Sequence, residues 1–383
     1  MHLVDATLFY SPTSGGVKRY LSAKHAWLAA HTSWTHTIVV PGPDTQLQRG
    51  GVCTLAGYPV PGTFNYRLPL SPRRWIRLLD ALEPTLIEAG DAFHPAWCGW
   101  RVAQRRGIPL VGFYHSNLPQ LAGRRFLGWL TEPLIRRYLR LLYERCDLVF
   151  APSRLMREYL QELGVQHAVH QPLGVDAEVF NPTRRSVHLL RERLGLTAGA
   201  RVLVYAGRFA PEKNLPVLLQ AFARLGSPYH LLLIGSDRHA RPAANVTMIP
   251  YRRDSLELAQ WIASADALVH AGTKETFGLV ILEAMACGRP VVAARAGAFP
   301  EFIDESVGLL AAPDCSASMA EAIAALYERD LDTIGAAGRA RVLRQFTWGR
   351  AFHMQIASYA SLTGVRRAPI AEAQVLEARS PSS

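Results

Sequence analysis

The sequence predicts an α/β protein built as two Rossmann-like domains that face each other across a cleft. Three observations carry this. Short β-like runs alternate with helix-like segments along almost the whole chain, the pattern of parallel sheets covered by helices. Near the middle, a stretch bounded by prolines and holding a glycine, Pro172-Leu-Gly-Val-Asp-Ala-Glu-Val-Phe-Asn-Pro182, reads as a linker. Each half also carries a Gly-containing turn between a strand and a helix. In open parallel sheets such turns lie beyond the carboxyl ends of the strands, where ligands bind.

At 383 residues the chain can bury two full cores. In the first half the predicted strands are 3–9, 37–40, 85–88, 110–114, 148–151 and 168–171. In the second half they are 201–206, 230–234, 246–249, 267–270, 291–294 and 308–311. Amphipathic helices separate them, for example 216–225 and 256–263. The expected division is a first domain over 1–172, a linker over 173–185, a second domain over 186–345 and a final helical stretch over 346–364. Residues 365–383 lack a sustained apolar period and end in Ser and Pro, so they are expected to be disordered.

Composition excludes several classes. With 49% hydrophobic and 19% charged residues the chain is an ordinary globular one, and no run approaches the ~18 apolar residues of a spanning helix. The N-terminus, Met1-His-Leu-Val-Asp5, has no secretory signal pattern. Five scattered cysteines without a C-x-x-C pair argue for reduced, packed thiols in a cytosolic setting. The net charge of +11 is uneven: residues 1–185 hold 21 Lys and Arg against 13 Asp and Glu, residues 186–383 hold 21 against 18. A basic first half suggests an anionic partner such as acidic lipid, a phosphorylated substrate or nucleic acid.

The most informative stretch is Lys274-Glu-Thr-Phe-Gly-Leu-Val-Ile-Leu-Glu283, followed closely by Gly288-Arg-Pro-Val-Val292. It places Glu275 and Glu283 eight positions apart around Gly278 and the start of an apolar helix. A helix N-terminus offers free N–H groups and a positive dipole end, and carboxylates accept hydrogen bonds from sugar hydroxyls, so one polyhydroxyl or anionic ligand could span both. The alternative is a helix with one solvated Glu at each end. Arg208 and Lys213 follow Gly207 on a strand-ending loop and could clamp a diphosphate. Only four lysines stand among 42 basic residues, and Lys18, Lys213 and Lys274 fall in these motifs. Gly15 and Gly16 would let the backbone approach a phosphate at a helix N-terminus, or form an ordinary tight turn. His115 ends a predicted strand, where it could bond a sugar hydroxyl or help move an acceptor proton. Neither glycine turn is a dinucleotide fingerprint or a P-loop, which disfavours a dehydrogenase or an NTPase.

Residues 121–145 hold six Arg against two Glu, interleaved with Phe126, Trp129, Tyr138 and several Leu. That composition suits an interfacial segment on anionic lipid, or else a domain helix with a solvated Arg face. Pro133 is expected to divide it into two helical pieces. The one D-x-D, Asp330-Leu-Asp332, falls in a helical region away from every strand end, and no zinc or calcium ligand pattern occurs.

These motifs, in this order along nearly the whole chain, resemble the GT-B fold glycosyltransferases of family 4, the large retaining nucleotide-sugar group. The features are Gly15-Gly16, Gly174-Val-Asp with Phe180-Asn-Pro182, Gly207-Arg208 with Lys213, and the paired Glu275 and Glu283 ahead of Gly288-Arg-Pro-Val-Val. The resemblance implies that Arg208 and Lys213 hold the donor diphosphate, that Glu283 bonds the ribose and that Glu275 contacts the transferred sugar. It places the backbone of Phe277, Gly278 and Leu279 beside the donor, the loop of Gly15 and Gly16 over its phosphate, and His115 near the acceptor. The last helix would cross back onto the first domain. Transfer with retention, without metal or other cofactor, is the implied chemistry. The loop around His115 and the basic first half resemble GDP-mannose-dependent α-mannosyltransferases acting on lipids or lipid-linked glycans. UDP-sugar enzymes making glycolipids, sulfoquinovosyl transferases among them, remain the alternative. Partners would then be a nucleotide-sugar donor, a lipid or glycan acceptor and an anionic membrane surface met by residues 121–145, with the protein cytoplasmic and peripheral on the inner face of the plasma membrane. A non-enzymatic nucleic-acid- or anion-binding protein is the rival class. No helix-turn-helix, RNA-recognition or zinc pattern supports it.

Overall fold

The computed structural model describes residues 1–10, 15–60, 66–115, 128–236 and 239–364. The expected disordered tail and the first part of the Arg-rich segment lie outside the described residues. The apolar runs between turns become strands buried on both faces, as parallel sheets covered by helices require. In chain order the first half gives β1 (His2–Ala6), β2 (Thr35–Gly42), β3 (Val52–Ala56), a short ribbon β4 (Tyr58–Pro59) and β5 (Arg67–Leu68), then β6 (Leu86–Ala89), β7 (Leu110–Phe113), β8 (Leu148–Ala151) and β9 (Ala168–His170). The second gives β10 (Arg201–Ala206), β11 (Tyr229–Ser236), β12 (Ala240–Ala243), β13 (Val246–Pro250), β14 (Ala267–His270), β15 (Val291–Ala294) and β16 (Gly308–Ala311).

Two seven-stranded sheets result, ordered β3-β2-β1-β6-β7-β8-β9 and β12-β13-β11-β10-β14-β15-β16. All neighbours pair parallel except β12 with β13. Each sheet is one strand wider than the sequence predicts. The overlooked strands sit at edges: β3 is short and carries Cys and Thr, and β12 contains Pro242, which an edge strand tolerates. Strand β1 stops at Ala6 instead of running to residue 9, because the next two residues turn aside to Asp91. Its carboxylate accepts from the Thr7 hydroxyl at 2.9 Å and from the Leu8 N–H at 2.5 Å. The helix Gly128–Tyr143 runs through Pro133 without dividing. The proline removes one backbone donor, and the flanking turns carry on because Leu139, Leu142 and Tyr143 anchor the helix in the core of the first domain. Four cysteines are buried as expected; Cys315 is half-exposed and caps the helix Ser316–Leu326, accepting from the Ser318 N–H.

One apolar cluster runs through both halves, from Leu3, Ile38 and Phe113 to Phe277, Ile281 and Val291, and includes Phe352 and Tyr359 of the last helix, Trp348–Thr363. The linker meets that returning chain directly: Val175 donates to the Phe346 carbonyl at 2.8 Å. Gly174 permits this, since a Cβ there would stand 2.5 Å from the Trp348 nitrogen. A polar bridge lies further out. Glu301 accepts from the N–H groups of Arg154 and Leu155, both at 2.8 Å, and so caps helix Arg154–Glu162 from the opposite domain.

The last helix is fixed by a buried ionic cluster. Lys24, wholly enclosed in helix Gly16–His31, lies 3.0 Å from both Asp5 of β1 and Glu88 of β6. Its ammonium also donates to the Tyr359 hydroxyl at 2.9 Å, while Tyr359 and Tyr20 both donate to Glu88. Gln355 donates to the Tyr20 hydroxyl at 2.6 Å, and His36 meets Asp5 at 2.5 Å. Burial raises the Glu88 carboxyl above its ordinary range against the pull of Lys24, and burial keeps His36 neutral. Removing one member of such a cluster strands the others without solvent. Lys24→Met is expected to destabilise the protein by about 3–5 kcal/mol, measured by urea unfolding; a loss below ~1 kcal/mol would show that the cluster holds nothing together.

Candidate active site

A cavity of about 470 Å³ lies between the carboxyl ends of the two sheets. The second sheet supplies its wall from the residues that follow β10, β13 and β14, and the first from those that follow β1 and β7. The residues expected at the donor and acceptor sites line it: Gly15, Gly16 and His115 on one side, Gly207, Arg208, Lys213, Glu275, Phe277, Gly278, Leu279 and Glu283 on the other, while Lys18 and Lys274 of the same motifs do not. Asp330 lies outside it, spending its carboxylate as the N-cap of helix Leu331–Gln345.

The loop after β14 shapes the centre of this wall. Gly278 caps helix Leu279–Ala286 with φ +89°, and a Cβ on it would come 2.6 Å from the Phe299 ring. The position therefore takes only glycine. Phe277 turns its ring inward against Phe302, leaving backbone toward the cavity. Gly297 backs the loop, close against the Glu275 backbone, and Ala298 donates to the Glu275 carbonyl at 3.0 Å.

Glu275 pairs with Lys213, and His270 Nε2 stands 3.6 Å from the same oxygen. The Gly272 N–H donates to His270 Nδ1 at 3.0 Å, which leaves the ring proton on Nε2, facing the carboxylate. Burial alone would raise the Glu275 carboxyl, but Lys213, His270 and Arg208 together hold it below the ordinary range. It is ionised at neutral pH. His270 shifts down as well, but there burial wins: it falls to about 4 despite Glu275, so it is neutral. Arg208 is half-exposed and reaches Glu212 at 3.6 Å, which leaves it the most accessible cation for an incoming anion. Lys213 closes the turn Pro211–Lys213, beyond which Asn214 takes a left-handed conformation and bonds Asp314 at 2.6 Å.

Across the cavity, helix Gly16–His31 begins against helix Leu279–Ala286; a Cβ on Gly16 would meet the Leu279 Cδ1 at 3.3 Å, while one on Gly15 meets open space. His115 stacks on Phe113 at 3.9 Å between ring centres. Its carbonyl accepts from the Thr276 hydroxyl at 2.9 Å, tying the end of β7 to the Glu275 loop. Burial brings the imidazole down to about 4, and among the described residues its buried Nε2 has no hydrogen-bond partner. Glu283, nearly enclosed, is paired with Arg19 of the opposite domain.

Sequence reasoning missed Arg19 and His270, both of which line the cavity. His270 ends a strand, the same signal that marks His115. Arg19 stands three residues after the glycine pair, in the first turn of its helix, where one more Arg among many gave no signal. Gly278→Ala is expected to cost about 2–4 kcal/mol, from the left-handed backbone and the clash with Phe299. Thermal unfolding measures it, and an unchanged Tm would contradict this account of the loop.

Two family profiles match the chain, Glycosyltransferase Family 4 over residues 14–179 and Glycosyl transferases group 1 over residues 200–329. A GDP-mannose-dependent alpha-(1-6)-phosphatidylinositol dimannoside mannosyltransferase of Mycobacterium tuberculosis is 29% identical over 94% of this chain and 97% of its own. A D-inositol 3-phosphate glycosyltransferase of Xylanimonas cellulosilytica is 31% identical over 70% of each chain. Among solved structures, sucrose-phosphate synthase from Thermosynechococcus elongatus superposes with a TM-score of 0.79 at 22% identity, covering 95% of this chain and all of that one. The two facing sheets are thus a GT-B fold, and the chain belongs to the family 4 glycosyltransferases, enzymes that transfer a hexose from a nucleotide sugar.

Proposed function

We propose that this enzyme moves mannose from GDP-mannose to a lipid or lipid-linked glycan acceptor, with retention at the anomeric carbon. The observation that carries the reading is the single cavity into which both domains place the sequence-flagged residues, with an ionised Glu275 beside Lys213 at its centre. Arg208 and Lys213 take the donor diphosphate, Glu283 the ribose hydroxyls, and Glu275 the hydroxyls of the transferred sugar. The acceptor oxygen attacks the anomeric carbon from the face that the diphosphate leaves, and the departing phosphate oxygen takes the acceptor proton. The negative charge that grows on the leaving group is met by two fixed cations, so no metal is required. The unpartnered Nε2 of His115 supports a contact with a hydroxyl on the acceptor side. The choice of mannose leans on the mycobacterial relative, nearly all of whose length aligns; a UDP-sugar donor is the alternative reading.

Membrane contact is part of the same reading. No described helix is long and apolar enough to cross a bilayer. Helix Gly128–Tyr143 instead leaves Leu134 and Leu141 exposed on the surface that also carries Arg137 and Arg140. Beside it, Arg136, Arg137 and Arg140 line a surface hollow of about 500 Å³. Exposed leucines flanked by arginines suit a surface that lies on anionic lipid.

Hydrolysis of a panel of nucleotide sugars by the purified enzyme should be fastest with GDP-mannose; a preference for a UDP-sugar would overturn the donor assignment. Lys213→Ala is expected to lower transfer at least about 100-fold in a protein that still folds, with a melting point lowered by the loss of the Glu275 partner, and near-normal turnover would sink the clamp. In flotation assays the enzyme should rise with vesicles containing anionic lipid and not with neutral ones, and the Arg137→Glu, Arg140→Glu double variant should lose that binding. Absence from both vesicle types would reject the membrane role.

A further inference from the structure

Arg19 occupies the place that the transferase reading gives to the nucleotide. It belongs to the first domain, in the opening turn of helix Gly16–His31, yet its guanidinium pairs with Glu283 of the second. The side chains are 26% and 4% exposed, so the pair is largely withdrawn from water. Tyr251, just beyond β13, gives the same guanidinium a second partner across the cleft, and all three side chains line the cavity. Glu283 raises the Arg19 guanidinium above its ordinary range, against the effect of burial.

We infer that Arg19 is a built-in competitor of the donor: resting on the reading that Glu283 binds the ribose, guanidinium and ribose hydroxyls take turns on that carboxylate, and the exchange sets donor affinity. The physical reason is that a buried carboxylate cannot stand bare. Leaving it without a partner costs several kcal/mol, so the empty cleft must supply one. Arg19 does so by reaching across from the facing wall, which also draws the two domains together around the cavity. A ribose offers two O–H donors in place of the guanidinium fork. The anionic diphosphate that enters with it compensates the released cation, so neither charge is stranded. Arg19 is thus a determinant of nucleotide affinity that acts through Glu283, not a group at the reacting centre.

A double-mutant cycle read by calorimetry, with GDP and UDP as the probes, tests this. Arg19→Gln should tighten binding of the preferred nucleotide about tenfold relative to the effect of the same change in a Glu283→Gln background, where nothing remains to compete for. The cycle subtracts whatever Arg19 contributes by simple attraction to the diphosphate. Equal factors in both backgrounds would overturn the inference while leaving the ribose contact intact, provided that Glu283→Gln alone weakens binding. If Glu283→Gln binds as tightly as the parent, the ribose assignment itself falls and the competition with it. Thermal melts of each variant separate these outcomes from misfolding, and Arg19→Lys, which keeps the charge and loses the fork, should fall between parent and Arg19→Gln.

Discussion

The helix that brings Gly16 and Arg19 to the cleft is positioned by the charge on Lys24. That ammonium is wholly enclosed, and its partners come from two central strands, its own helix and the last helix of the chain. A buried cation is tolerable only when carboxylates and hydroxyls surround it closely, so the cluster admits one mutual arrangement of these elements. Lys24 and Arg19 share helix Gly16–His31, with Arg19 nearer the cleft. Fixing one end of that helix by ionic contacts aims its other end, with Gly16 and Arg19, at the second domain. The same contacts hold the last helix to the first domain, although the chain has by then passed through the whole of the second.

The second-domain wall follows the opposite strategy. Most of its ion pairs are made within its own strand-end loops, Arg208 with Glu212 in the loop after β10 and Lys213 with Glu275 between the loops after β10 and β14. Burial and compensation then divide the labour between neighbours. Glu275 stays ionised because cations outweigh its desolvation, while His270, enclosed beside it, stays neutral and can only lend a hydrogen. Such a wall sets a carboxylate that could accept from hydroxyls beside cations that could meet an anion, without needing water to stabilise either. This matches a ligand that is itself half polyol and half diphosphate.

How much of this was legible in the sequence depends on the kind of signal each residue gave. The parallel sheets were, because buried strands leave continuous apolar runs, and the edge strands β3 and β12 were not, because an edge needs neither full burial nor a proline-free backbone. Gly278 was legible as a break before an apolar helix, and the structure gives it a left-handed backbone besides. Pro133 misled, since tertiary anchoring by Leu139 and Leu142 overrides one missing hydrogen bond. Arg19 and Lys24 could not be read at all. Their meaning comes from partners 264 and up to 335 positions away, and no local pattern reports such a distance.

Gly174 gives the molecule a fulcrum. The chain crosses between domains twice, outward through the linker and back ahead of the last helix, and these two crossings touch because residue 174 has no side chain. Two separated crossings would brace the domains like a pair of struts. Two that coincide leave one pivot, about which the sheets can rotate without stretching either strand of the connection. The Arg19–Glu283 pair and the Glu301 cap also join the domains, through residues other than those of the crossing. Any swing about that pivot has to exchange the Arg19–Glu283 pair, the Thr276 bond to the His115 carbonyl and the Glu301 cap, and of these the first lies where a ligand could take its place.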